Sequence, residues 1–279
     1  MTVGCRRDAA PSAWQRTALA FVSAVESGRL DLPLPGSGRT GERWAAFADL
    51  AEEDLSLARL GEGHAARSRS WRSLTARRRV PAAAGACGRR TRPDPTWPAT
   101  GMAASDTLDV GFPGVAAKPV GPPGGYTSRP GFSHGGAGVA ARWYGGARGV
   151  ARTPLRAAAK RDVGPHALAH LGAVDIALHT ARAALARAAE EIDADPGDQR
   201  GEGPVRALRV RALRVRALTE AAATDVLART GRALGAGPLS HDESHSRAVA
   251  DLTVYLRQHH AERDLARLGA LVAEHGASW

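Results

Sequence analysis

Between Leu171 and Ile192, apolar residues recur at spacings of three, four and seven: Leu171, Val174, Leu178, Ala181, Leu185 and Ile192. That period lays a narrow apolar seam along one side of a helix, and such a seam is buried only against other helices. Gly164-Pro165 in front of it supplies a break and a proline suited to a first helical turn. Asp193 to Gly203 reads as a polar turn, and Pro204 opens a second long helix to about Leu234, antiparallel to the first. The C-terminal part of the chain is therefore read as a helical bundle.

Other segments read the same way. Residues 13–28 and 41–60 have helical character, the second with Glu42 near its start and apolar Trp44, Phe47, Leu50, Leu55 and Leu57 along it. A Pro- and Gly-punctuated loop, Leu30 to Gly38, lies between them. Residues 138–161 make a further helix, weakened by Gly145-Gly146 and Pro154. The last helix is expected to start at Ser240, where Ser240-His-Asp-Glu243 fits a capping box. It turns Val249, Leu252 and Leu256 inward and runs on through His259 toward Leu265, Leu268 and Val272. Aromatic residues are only 5% of the chain, so Ala, Val and Leu must build the core.

The sequence Arg-Val-Arg-Ala-Leu occurs at 209–213 and again at 214–218. Five residues turn a helix by about 500°, so one copy is rotated about 140° from the other. The two copies cannot point the same leucine at one core, which fits a small tandem duplication better than a functional basic stripe.

The middle of the chain has a different character. From Gly63 to Pro93 there is no acidic residue, arginines crowd the stretch, and neither the helix nor the strand period persists. Residues 94–125 are rich in Pro and Gly, with short strand-like pieces around Val110 and from Val115 to Val120. Two readings stay open: a disordered basic linker, or GC-rich coding sequence translated out of frame. Two compensating frame changes, near 66 and near 108, would produce the second.

The net charge of +10 would favour polyanions. Only two of the 38 basic residues are lysine, Lys118 and Lys160, and the basic residues are not interleaved with stacking aromatics. The charge is read as compositional, and nucleic acid is not the expected partner. Cys5 and Cys87 form no metal spacing and no disulfide framework. The apolar runs fall short of a membrane span, so a cytoplasmic setting without membrane attachment is expected. His241 and His245 sit four apart and could share a helix face, but no third ligand is marked, and no metal is expected. The Gly-rich run 128–140 is read as the plain start of a helix rather than an anion cradle.

Taken in order, the pieces resemble the acyl-CoA dehydrogenase family. The segment Gly41 to His64, Gly-Glu-Arg-Trp-Ala-Ala-Phe-Ala-Asp-Leu and onward, looks like the family's N-terminal helical part. Thr127-Ser128-Arg129-Pro130 is similar to the start of its C-terminal bundle. Two long helices and a last one with Arg247, Asp251 and Tyr255 follow in the expected order. The resemblance implies a helical domain, a middle β domain and a four-helix bundle, with FAD between them and across a subunit interface. It further implies that a carboxylate removes the proton α to an acyl-CoA thioester while a hydride leaves the β carbon for the flavin. Electrons then pass to an electron-transferring flavoprotein.

The chain departs from that pattern. The β domain would fall at about 65–112, which is too short and does not read as strands. The family's arginine contact to FAD has Arg161 as a partial counterpart. Its catalytic carboxylate falls on His259, followed by His260. Histidine can act as a base near neutral pH, and related flavin-dependent oxygenases place a histidine in this region. Alternatively, His259 and His260 are interior or edge residues held by Glu262 or Asp264.

The fold expected is mainly α: an N-terminal helical segment (1–64), a degenerate middle and linker (65–125) and a bundle of acyl-CoA dehydrogenase type (126–279). The resemblance implies a homo-oligomeric FAD oxidoreductase, with His259 at the base position. Thr127, Ser128 and Arg129 would contact substrate, and Arg161 and His260 the flavin. A non-catalytic helical remnant without flavin and a flavin-dependent monooxygenase-like relative are the alternatives.

Overall fold

A computed structural model describes residues 12–74, 98–105, 107, 122–124, 130–197 and 204–276. Among these there is no strand. The helices are α1 (Ala13–Glu26), α2 (Thr40–Glu53), α3 (Leu55–Leu74), α4 (Pro130–Lys160), α5 (Gly164–Ala194), α6 (Pro204–Leu234), α7 (Gly237–His241), α8 (Glu243–Leu256) and α9 (Glu262–His275). A 3-10 turn, Ala103–Ser105, lies between α3 and α4.

The long helices α4, α5 and α6 pack together, with α2 and α8 laid against α4. One continuous core runs through them, from Ala24 and Phe47 through Trp143 and Ile192 to Leu252 and Leu256. On the predicted α5 seam Val174, Ala181, Leu185 and Ile192 are buried, and Leu171 and Leu178 are half-buried. The duplicated pentapeptide behaves as its rotation requires: Leu213 is buried and Leu218 exposed. No described helix is long and apolar enough to cross a membrane.

Several boundaries differ from expectation. The helix expected over 41–60 is two helices, broken at Asp54, whose backbone is extended (φ −160°, ψ 115°). Asp54 restarts the chain by accepting the Leu57 N–H on its side chain (3.0 Å) and the Ala58 N–H on its carbonyl (3.0 Å). Helix α3 then runs to Leu74, past the point where the periodicity fades. The start of α2 carries no cap of its own; Asp193, at the far end of α5, accepts from the Thr40 N–H (2.8 Å) and hydroxyl (2.6 Å).

Helix α4 begins at Pro130, eight residues before the expected start at 138, and continues through Gly145-Gly146 and Pro154. Gly145, Gly146 and Gly149 are contact points. A Cβ on Gly145 would lie 2.1 Å from the Ala48 carbonyl oxygen, and one on Gly149 would lie 2.9 Å from that of Glu52. Only glycine lets α2 approach α4 so closely, and this packing outweighs the weak helix propensity of the run.

The expected capping box at Ser240 is not formed. Gly237 starts the short α7, with Pro238 in its first turn and Ser240 inside it, and the cap of α8 is Asp242, whose side chain accepts from the His245 N–H at 3.0 Å. Glu243 instead pairs with Arg16 of α1 (2.6 Å). This break also separates His241 from His245, so the two do not share a helix face. The strand-like pieces near Val110 and Val115–Val120 lie outside the described residues.

Candidate functional site around His259

The His-His pair does not lie within a helix, contrary to the expected run through His259. Helix α8 ends at Leu256, and three successive tight turns follow: Arg257 N–H to Val254 O, Gln258 N–H to Tyr255 O, and His259 N–H to Leu256 O. Ala261, before α9, takes a positive φ of 43°, a conformation rare for a residue with a Cβ. Tertiary contacts hold this bend. The Arg216 guanidinium stacks 4.7 Å above the Trp143 ring and donates to the carbonyls of Gln258 (2.8 Å) and Gly136 (3.1 Å). Trp143 Nε1–H donates to the Tyr255 carbonyl at 3.2 Å.

His259 sits beneath this clamp. Its ring meets Trp143 edge-on, with centroids 6.3 Å apart, and its side chain is 2% exposed. Neither ring nitrogen has a hydrogen-bond partner. Asp264 Oδ2 lies 4.0 Å from Nε2, a Coulombic neighbour rather than a bonded one. Burial pushes the His259 pKa below the ordinary histidine range; Asp264 and Glu220 act against that shift, Arg216 and His260 with it. Burial thus favours the neutral imidazole at His259, and a carboxylate stands close enough to stabilise a proton once gained.

His260 is half-exposed, and Asp264 holds it, not Glu262: the His260 N–H donates to Asp264 Oδ2 at 3.1 Å, and its Nδ1 lies 3.6 Å away. Behind the clamp, Arg142 is fully buried. Its Nε donates to the Tyr255 hydroxyl (2.9 Å), and its guanidinium pairs with Glu62 (2.7 Å) over the Phe47 ring. Arg161 lies elsewhere: it follows the last turn of α4, exposed to solvent. Eighteen residues separate it from Trp143 along that helix, about 27 Å. Thr127, Ser128 and Arg129 lie outside the described residues.

A second feature had no sequence signal. A cleft of about 1,320 Å³ opens between the end of α2, the second half of α4 and the α7–α8 corner. Its walls are matched ion pairs: Arg148 with Asp49 (3.1 Å) and Glu52, Arg152 with Glu52, and Arg29 with Glu53 (2.7 Å). At its base Arg247 bridges Asp54 (2.8 Å) and Asp251 (3.6 Å), and donates to the Thr17 hydroxyl (2.8 Å). Asp251 also accepts the Met102 N–H at 2.5 Å, which fixes the 98–105 segment against α8. Gly101 is pressed so close there that a Cβ would lie 2.0 Å from the Ala250 carbonyl oxygen. The spacing of Arg247 and Asp251 was visible in the sequence; their partner Asp54, from the break between α2 and α3, was not. With its arginines already paired, the cleft has no preformed anion site. Neither this cleft nor a second cavity of about 460 Å³ is lined by His259 or His260. Among the described residues no group of three or more His, Cys, Asp or Glu could hold a metal ion.

Comparison of the chain with family models, curated proteins and solved structures returns no match.

Two of the buried histidines make a pH prediction. His245 and His259 are both shifted below the usual value, chiefly by burial. The unfolded chain therefore takes up these protons first as pH falls. The stability from keeping both rings neutral is present above the unfolded value of about 6.5 and is lost as pH drops through the folded values. Asp251, raised chiefly by its own burial, acts in the opposite sense, so the comparison is made between variants. The melting temperature is expected to fall between about pH 7.5 and 5.5, and to fall less steeply in His259→Gln. An identical slope in that variant and in His245→Asn would show that neither ring titrates in this way.

Proposed function

We propose that the chain is an acyl-CoA dehydrogenase-like flavoprotein in which His259 takes the place of the proton-abstracting carboxylate. The observation that carries this reading is the setting of His259: buried and, among the described residues, unpartnered at both ring nitrogens, with Asp264 4.0 Å from Nε2. A buried polar group without a partner costs stability and calls for a reason; accepting a substrate proton is one. The order of α4, α5, α6 and α8 agrees with the bundle implied by the resemblance.

FAD, when bound, would accept the hydride. The residues present fit a flavin only across two copies of the chain. His260 follows His259, whose ring meets Trp143 near the middle of α4, and Arg161 follows that helix's last turn, about 27 Å along it from Trp143. In a homo-oligomer, Arg161 of one copy would meet the pyrophosphate of a flavin held beside His259 and His260 of another. Asp264 would steady the imidazolium formed when His259 takes the α proton, and the Trp143–Arg216 clamp would keep bulk water from it. An electron-transferring flavoprotein would be the acceptor.

The test is exchange of α hydrogen. Incubated with octanoyl-CoA in heavy water, the protein should introduce deuterium at the α carbon. His259→Gln should cut that rate by about 10² or more, the usual worth of a positioned base. Equal exchange by the two proteins would remove His259 from the chemistry. One observation favours a second reading, a helical module without catalysis: His259 is enclosed, and neither large cavity reaches it. No exchange by either protein would favour it.

A further inference from the structure

The cavity of about 460 Å³ lies where three helices turn regularly spaced faces toward one another: Gly41, Trp44, Ala45 and Ala48 of α2; Ala141, Tyr144 and Arg148 of α4; Arg182, Leu185, Ala186 and Ala189 of α5. Its volume is within the range of small-molecule sites, about 300–1,000 Å³. Small residues hollow it out, and Trp44, Tyr144 and Leu185 give it a bulky apolar lining. One end is closed, with Gly41 against Ala189 and the Thr40–Asp193 cap just beyond. Asp49, Arg148 and Arg182 stand toward the other end. The span from Gly41 to Asp49 is about 12 Å of helix.

Three polar groups on its lining have no hydrogen-bond partner among the described residues: the Trp44 indole N–H, the Tyr144 hydroxyl and the Arg182 guanidinium. Trp44 is 5% exposed. Arg182 is exposed and, among the described residues, has neither an ion-pair nor a hydrogen-bond partner. Arg148, by contrast, is engaged by Asp49 (3.1 Å) and Glu52. The open end therefore carries one unmatched positive charge. A ligand with two negative charges would meet Asp49 with its second.

We infer that this cavity is a binding site for a monocarboxylate with an unbranched or flat apolar body. The carboxylate pairs with Arg182, and the body lies along Trp44 and Leu185 toward the closed end. A length of about 12 Å suits an extended acid of roughly eight to ten carbons. Arginine's planar fork matches a carboxylate in geometry, and the apolar walls supply the binding energy. This site is separate from His259 and stands whether or not the chain binds flavin.

Calorimetric titration of the full chain tests it, with octanoate and the uncharged 1-octanol as probes. Octanoate should bind saturably at one site per chain, and 1-octanol about fivefold more weakly, the scale of one solvent-exposed ion pair. Arg182→Gln should remove that preference while leaving 1-octanol unchanged. Ala186→Phe, at an exposed lining position, should abolish binding of both. Should that variant lose helix content, Ala45→Phe on the facing wall, also exposed, blocks the same space. Absence of saturable octanoate binding would overturn the assignment, as would octanoate affinity untouched by the blocking variants or by Arg182→Gln.

Discussion

Trp143→Ala is expected to destabilise the fold by about 3–5 kcal/mol, the range for deleting a large buried aromatic. Trp143 is fully buried at the centre of the bundle. Its loss also removes the face on which Arg216 stacks, the edge against which His259 rests and the donor to the Tyr255 carbonyl. Arg216 would then be left over a cavity. Trp143→Phe separates the contributions: it keeps most of the apolar volume and loses the N–H bond, for about 1 kcal/mol plus a smaller packing loss. Urea unfolding measures both. A Trp143→Ala midpoint close to wild type would mean that the helices do not meet around this side chain.

The second large effect is at Arg247. Removing it leaves Asp54 and Asp251 facing each other without a cation, with side chains 18% and 6% exposed. Breaking a buried ion network by taking out one partner costs about 3–5 kcal/mol, because the remaining charges stay desolvated. Arg247→Ala should therefore lower stability by about 3 kcal/mol, at the lower end because Asp54 keeps some solvent. Adding Asp251→Asn should recover part of the loss: the amide oxygen still accepts the Met102 N–H, and one buried charge disappears. Additive losses in the double variant would show that Arg247 and Asp251 act independently.

These two positions also show what the sequence could carry. Helices α5 and α6 were legible because their apolar period, Gly164-Pro165 and Pro204 are local signals. The break at Asp54 was not, because Glu52-Glu53-Asp54 looks helical until Arg247 and Thr17 take hold of Asp54 from other helices. Helix α4 starts eight residues before the expected point, through a Gly-rich run that reads locally as a helix entry. Within the helix, the use of Gly145 and Gly149 depends on how closely α2 approaches. The cap was expected at Ser240; Asp242 takes that role because Gly237-Pro238 starts a separate turn of helix that contains Ser240. His259 was picked out by order along the chain, but its burial depends on Trp143, 116 positions earlier, which no local pattern reports.

The central claim is that the chain works as a flavoprotein, and flavin content on purification tests it most directly. The full-length protein, purified without detergent or added cofactor, should be yellow and absorb in both flavin bands. Heat denaturation should release FAD approaching one molecule per chain. Arg161→Ala should release less while keeping its helix content. A colourless protein that takes up no FAD when supplied with it, yet shows full helix content, would contradict the account and leave a helical module without this chemistry.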